Sequence, residues 1–139
     1  MKEITRQMIK IYNINDFDFM GYDIKRKESL SFHHLIIPHR ESKKYGIGDG
    51  NLLRNGAILV QETSHEYLHI IENKDYEIFC RLTSEMIDMN IKGYLDIENL
   101  RYIKDILLYF EKEHNLDRNS KGKQLIKREY IQNRFNWDK

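Results

Sequence analysis

The sequence predicts an α+β domain, with two short apolar strands near the middle of the chain and helices after them. Three observations carry this. Leu30, Phe32, Leu35, Ile36 and Ile37 crowd into one stretch that Pro38 closes, the pattern of a strand ended by a residue that cannot donate to a ladder. Ala57-Ile58-Leu59-Val60 is a second, continuous apolar run bounded by turn residues. Beyond Thr63 the apolar residues change to helical spacing. At 139 residues, 40% hydrophobic and 32% charged, the chain is sized for one compact domain that can bury a core without disulfides.

Taken in order, residues 1–28 read as an N-terminal extended or β arm. Met8 to Asp23 mixes Ile, Tyr, Phe and Met with Asn and Asp, and Asp16-Phe17-Asp18-Phe19 alternates as one or two short strands would. The first strand covers Ser29 to Ile37. Lys43 to Asn55, with Gly46, Gly48, Gly50, Asp49 and Asn51, is a long loop and turn that runs into Gly56. Its glycines are not a nucleotide fingerprint, because no strand leads directly into them and no helix opens directly after. Thr63-x-x-Glu66 reads as a capping box that starts a helix through about Asn73. Asp75 caps a second helix, Tyr76 to Asn90, with Ile78, Leu82 and Met86 on one stripe. Asp96 caps a third, Ile97 to His114, with Leu100, Ile103, Leu107 and Phe110. Residues 74–116 are thus a supporting helical pair. Residues 117–139 form a basic tail with a weaker helix from Lys123 to Phe135, whose apolar side is Leu125, Ile126, Tyr130, Ile131 and Phe135.

Composition narrows the chemistry. Cys80 is the only cysteine, so an intrachain disulfide and a Cys-rich zinc knuckle are both excluded, and a reducing cytoplasm is the expected compartment. Cys80 reads as a buried, inert thiol. Any metal must then be held by His, carboxylate or amide groups. Charges interrupt the N-terminus, Met1 to Met8, and no apolar run approaches the ~20 residues of a membrane span, so no secretion signal, anchor or membrane association is expected. The net charge is +1, but it is unevenly spread: Glu66 to His114 carries −5 and Asp117 to Lys139 carries +4. The tail suits phosphates, and it equally suits an ordinary solvated helix.

Four of the six histidines fall into two pairs, His33-His34 in the middle of the first strand or at its exit and His65 with His69 on the first predicted helix. Residues four apart on a helix have their Cβ atoms ~5–6 Å apart, so His65 and His69 can converge on one ion. Imidazole is the commonest protein metal ligand and, with an ordinary pKa of about 6.5, also a general base near neutrality. An H-x-x-x-H pair alone arises easily by chance. A second pair on a strand, with a glycine-rich turn and Asn55 between, makes a constellation.

That arrangement, in His33-His34-Leu35-Ile36-Ile37-Pro38, Asn55-Gly56-Ala57-Ile58-Leu59 and His65-Glu66-Tyr67-Leu68-His69, resembles the HNH endonuclease family. The double histidine and the H-x-x-x-H helix look most like the nuclease domains of the DNase colicins, and Asn-Gly-Ala-Ile-Leu looks like small HNH proteins of phages and mobile elements. The resemblance covers about residues 30 to 72, within the 29–73 region. It implies a ββα-metal (His-Me finger) core, with the additional helices packed C-terminal to it. It implies that His33, His65 and His69 bind one divalent ion (Mg, Mn, Ni or Zn), and that His34 and Asn55 are the catalytic residues, His34 as general base and Asn55 as a brace for the loop. The implied activity is hydrolysis of DNA phosphodiesters, by nicking or by cutting both strands, lost below about pH 6.5 as the histidines protonate.

Two spacings, His34 to Pro38 and Asn55 to His65, are each one residue longer than the family's usual pattern. Paired β-bulges would absorb them. Strand alternation turns His33 and His34 to opposite faces, which leaves open which is ligand and which is base. His39, Arg40, Lys43, Lys44 and Arg54 flank the glycine loop and are candidate DNA-phosphate contacts, with surface solvation the simpler account. His114 reads as a helix C-terminal charge or a solvent-facing residue. Glu62, Glu66 and Glu72 are candidates for orienting ligand histidines, with surface roles the simpler account. No recognition helix is evident, so targeting is expected to come from a protein partner or from DNA structure. Two other functions satisfy the same motifs: a catalytically inactive nucleic-acid- or protein-binding regulator on the same fold, and a structural-metal domain in which four histidines close the coordination sphere. Oligomeric state is not encoded in any motif.

Overall fold

The computed structural model describes residues 1–114, and it is α+β: four α-helices and one two-stranded antiparallel sheet among them. Helix α1 spans Glu3–Ile11. Strand β1, Leu30–His34, pairs with β2, Gly56–Val60, in an unbroken ladder from Leu30↔Val60 through His33↔Ala57 to His34↔Gly56. A π-turn, Gln61–His65, leads directly into α2, Glu66–Lys74. Helices α3, Tyr76–Lys92, and α4, Ile97–Glu113, follow. None of the described helices is long and apolar enough to cross a membrane. The basic tail and its expected helix lie outside the described residues.

All of β2 is buried, which its uniformly apolar run requires. Tyr67, Leu68 and Ile71 of α2, Ile78, Leu82, Met86 and Met89 of α3, and Leu100, Ile103, Leu107 and Phe110 of α4 complete the core. Helices α3 and α4 begin where their aspartates stand: Asp75 accepts from Ile78 N–H and Asp96 from Glu98 N–H. At the far end of α4, His114 meets the Asp75 carboxylate at 3.3 Å and so ties the two helices together.

Five expectations are corrected. The arm of residues 1–28 is not extended throughout. Its first third is the helix α1, because Thr5, Met8 and Tyr12 recur at three and four residues and are buried together. The alternating Asp16-Phe17-Asp18-Phe19 contributes a single bridge, Phe17↔Asp23, around a turn at Gly21. The first strand stops at His34 instead of Ile37, since beyond it Asn55 takes the place of a partner strand. The Thr63 capping box does not form. The helical turn already begins at Gln61, which puts Thr63 inside it, and its hydroxyl is buried without a partner. Cys80 is exposed, because it lies two residues after Ile78, about 200° around the helix from the buried stripe.

Asp18 does the anchoring that was expected of Thr63. Fully buried, its carboxylate accepts from the backbone N–H groups of Met20, Tyr22 and Val60 and from the Ser64 hydroxyl. Burial pushes its pKa up, and these four donors work against that shift. The end of β2 and the turn that carries His65 are thereby pinned to the N-terminal segment.

Candidate metal centre

His33 leaves β1 on the face that α2 covers, and there it meets His65 and His69. Ring centroids are 5.2 Å apart for His33 and His65, 5.7 Å for His33 and His69, and 5.0 Å for His65 and His69. One ligand nitrogen from each lies within 4.8 Å of the others, close enough for the trio to bind a metal ion. The one-residue-longer step from Asn55 to His65 needs no bulge. The strand ladder is regular, and a π-turn holds one residue more than an α-turn, which aims His65 alongside His69.

The hydrogen-bond partners assign the ring tautomers. Ser31 donates its only hydroxyl proton to the Leu59 carbonyl at 3.0 Å, so His65 Nδ1, 2.7 Å from Ser31 Oγ, is the donor of that pair. His65 Nε2 is then left bare. His69 Nδ1 donates to the Glu72 carboxylate at 3.2 Å, which leaves its Nε2 bare as well. His33 Nε2 is buried and meets no hydrogen-bond partner among the described residues, a costly condition for a nitrogen unless something binds it. This orphaned nitrogen is what marks the trio as a fit for a cation, and the bonds from Ser31 and Glu72 are the kind that orient ligand imidazoles.

Electrostatics agree. Burial, then the neighbouring imidazoles, lower the pKa of His33 to about 3. Burial, then His69 and His34, lower that of His65 to about 4. Both are neutral at pH 7, as metal ligands must be.

His34, on the opposite face of β1, packs edge-on against Phe32 at 5.0 Å. Because the sheet ends at this residue, both His33 and His34 border one cleft of about 320 Å³, together with His65, His69, Glu72, His39 and Arg40. His34 Nε2 lies 3.2 Å from the Asp49 carbonyl and 3.1 Å from Asn51 Oδ1. A carbonyl only accepts, so Nε2 carries the proton and Nδ1 is the nitrogen with a free lone pair. Burial lowers the His34 pKa, partly offset by those two hydrogen bonds, so protonation sets in below the ordinary histidine value instead of at it. His39 Nδ1 donates to the same Asp49 carbonyl at 2.9 Å.

Asn55 is 5% exposed and its amide is fully engaged. Oδ1 accepts from Ile36 and Ile37 N–H, and Nδ2 donates to the carbonyls of Ile37 and Gly50. It is a positioning residue that ties the exit of β1 to the glycine loop, and it does not border the cleft. Gly50, at φ +77°, passes so close to Ser42 and the His34 ring that a side chain would collide. Phe32 likewise lies over Gly56, where a Cβ would strike its ring.

The remaining phosphate candidates divide. His39 and Arg40 are exposed at the rim of the cleft. Lys43 and Lys44 are exposed on the loop away from it. Arg54 turns to the other side and donates to the Asn90 carbonyl near the end of α3, so its role here is structural. Sequence reasoning missed Ser31 and Asn51, and it named Glu72 as a candidate to orient a histidine while favouring a surface role for it. Ser31 was legible in principle, since it stands two residues before His33 and so shares its face. Asn51 carries no signal beyond turn propensity. No family model, curated protein or solved structure matches the chain.

Proposed function

We propose that this chain is a metal-dependent DNA endonuclease or nickase of the HNH type, with β1, β2 and α2 as its ββα-metal core. The observation that carries the reading is the division of four histidines in one cleft. Three offer nitrogens to a common point, and the fourth, His34, has its Nε2 proton tied to oxygens and its Nδ1 free. His33, His65 and His69 would hold one divalent ion. Bound there, the ion supplies stabilisation of the charge that develops on a phosphodiester and its leaving oxygen. Three neutral imidazoles suit Zn²⁺ or Ni²⁺ better than Mg²⁺ or Mn²⁺, which prefer oxygen ligands.

The chain's own groups do the rest. His34 Nδ1 accepts a proton from water as general base, while the Asp49 carbonyl and Asn51 hold the ring in that tautomer. Arg40 and His39 at the rim contact flanking phosphates. Asn55 and Gly50 fix the loop that carries Asp49. A structural-metal site would close with four ligands, whereas among the described residues three histidines converge, the ligand number of many catalytic sites.

The test is cleavage of supercoiled plasmid with Zn²⁺, Ni²⁺, Mn²⁺ or Mg²⁺, against EDTA and against His34→Ala. Metal-dependent nicking that falls about 100-fold or more in His34→Ala is the expected result. No cleavage with any metal, from folded and metal-loaded protein, would favour the regulatory reading. Nicking undiminished in His34→Ala would remove His34 as the base.

A further inference from the structure

The cleft has an aromatic wall that phosphodiester hydrolysis does not require. Tyr76 and Phe79, in the first turn of α3, stack with ring centroids 5.7 Å apart and planes inclined by 26°, and both border the cleft beside Glu72 and His69. Phe79 is partly buried against the core, so it is a fixed support. Tyr76 is 64% exposed, and folding gains little from leaving so large a ring in water. The cleft also carries Pro38, His39 and Arg40, where a cation and a second imidazole can meet phosphate. Aromatic and basic groups are thus placed around one row of histidines. That is the combination used to grip a single nucleic-acid strand, whose phosphates track the positive groups while a base stacks on an aromatic face.

We propose that Tyr76, backed by Phe79, is a stacking platform for an unpaired base, and that the strand held in the cleft is single-stranded or locally unpaired DNA. This rests on the nuclease reading for the presence of a phosphodiester in the cleft. In a regular duplex the faces of the bases are covered by their neighbours, so the platform adds nothing there. On a single strand, a junction or a frayed end it adds one stacking contact whose strength varies little with sequence.

The experiment uses the full chain carrying His34→Ala, loaded with Zn²⁺, and 2-aminopurine oligonucleotides of one sequence as single-stranded DNA, single-stranded RNA and duplex DNA. The expected result is quenching of the probe on single-stranded DNA and about 10-fold weaker binding of that strand in Tyr76→Ala. Tyr76→Phe should retain the affinity, and binding of the duplex should be the same with and without the Tyr76 ring. Equal losses on single strand and duplex, no loss on either, or no binding at all would each overturn the platform. RNA bound in preference to DNA, with the same Tyr76 dependence, would overturn the DNA assignment. Cleavage of plasmid and of single-stranded DNA separates the two ideas. Platform binding without cleavage of either substrate by the unmodified chain would sink the nuclease reading and leave the platform standing, and cleavage of single-stranded DNA indifferent to Tyr76 would do the reverse.

Discussion

Two pairs of histidines, His65 with His69 and His34 with His39, border one cleft but are held there by different means. His65 and His69 stand on a helix, one turn apart, and their relation is set by backbone periodicity, with Ser31 and Glu72 adding orientation. His34 and His39 stand where β1 has ended, and their relation is set by one shared carbonyl, that of Asp49, in a loop shaped by glycines at positive φ. The helix side depends on that periodicity and on the two groups bonded to its rings. The loop side depends on groups that never touch a ligand: the Asn55 amide, the bare Gly50 and the Asn51 side chain. One side brings nitrogens close enough to bind an ion. The other is built to hold a ring in one tautomer.

The largest effect expected is at the trio that the helix pair completes with His33 of β1. His33→Leu should cut Zn²⁺ affinity by more than about 100-fold, beyond the 10–100-fold typical of an orienting group. Thermal melting of the metal-free protein should show no loss of stability, because the substitution removes a buried nitrogen that has no partner. A large loss of metal-free stability would mean that His33 serves the fold and not an ion.

Gly50→Ala tests the loop side. At φ +77°, with Ser42 and the His34 ring in the way, it should cost on the order of 1–3 kcal/mol in denaturant unfolding. It should lower plasmid nicking while leaving Zn²⁺ affinity by calorimetry unchanged. If metal affinity fell with it, the two sides would be one unit and the comparison would fail.

The smallest effects should grade the orienting groups. Ser31→Ala is expected to weaken Zn²⁺ binding by about 10-fold or somewhat more. Glu72→Gln should weaken it less, because the Glu72–His69 pair is half-exposed, at 37% and 53%, and water screens it. The reverse ranking would place the more important second contact on the solvent side of the trio.

Much of this was legible in the sequence, for reasons that can be named. Strand β2, the starts of α3 and α4 and the stripes Ile78-Leu82-Met86 and Leu100-Ile103-Leu107-Phe110 follow from local period and from aspartate caps. The pairing of His65 with His69 follows from four-residue spacing. The helix α1 was missed because Ile, Tyr and Phe suggest strands, while the spacing that buries Thr5, Met8 and Tyr12 is weak over so short a segment. Cys80 was misplaced by judging residue type above angular position on the helix. Asp18 gave no sign of its role, since a carboxylate in an alternating segment reads as the wet side of a strand, and only the fold shows that it is enclosed by four donors.

By itself, then, the sequence determined β2, α3, α4 and four of the histidines that border the cleft, because helical and strand periods and side-chain basicity are properties of short stretches. Only the tertiary structure decided which of His33 and His34 joins the trio. That choice depends on where the sheet stops, on a π-turn that adds a residue before His65, and on Asn55 folding the glycine loop back over His34. Each is a contact between segments far apart in the chain, and adjacent histidines differ in nothing else that a local pattern could express.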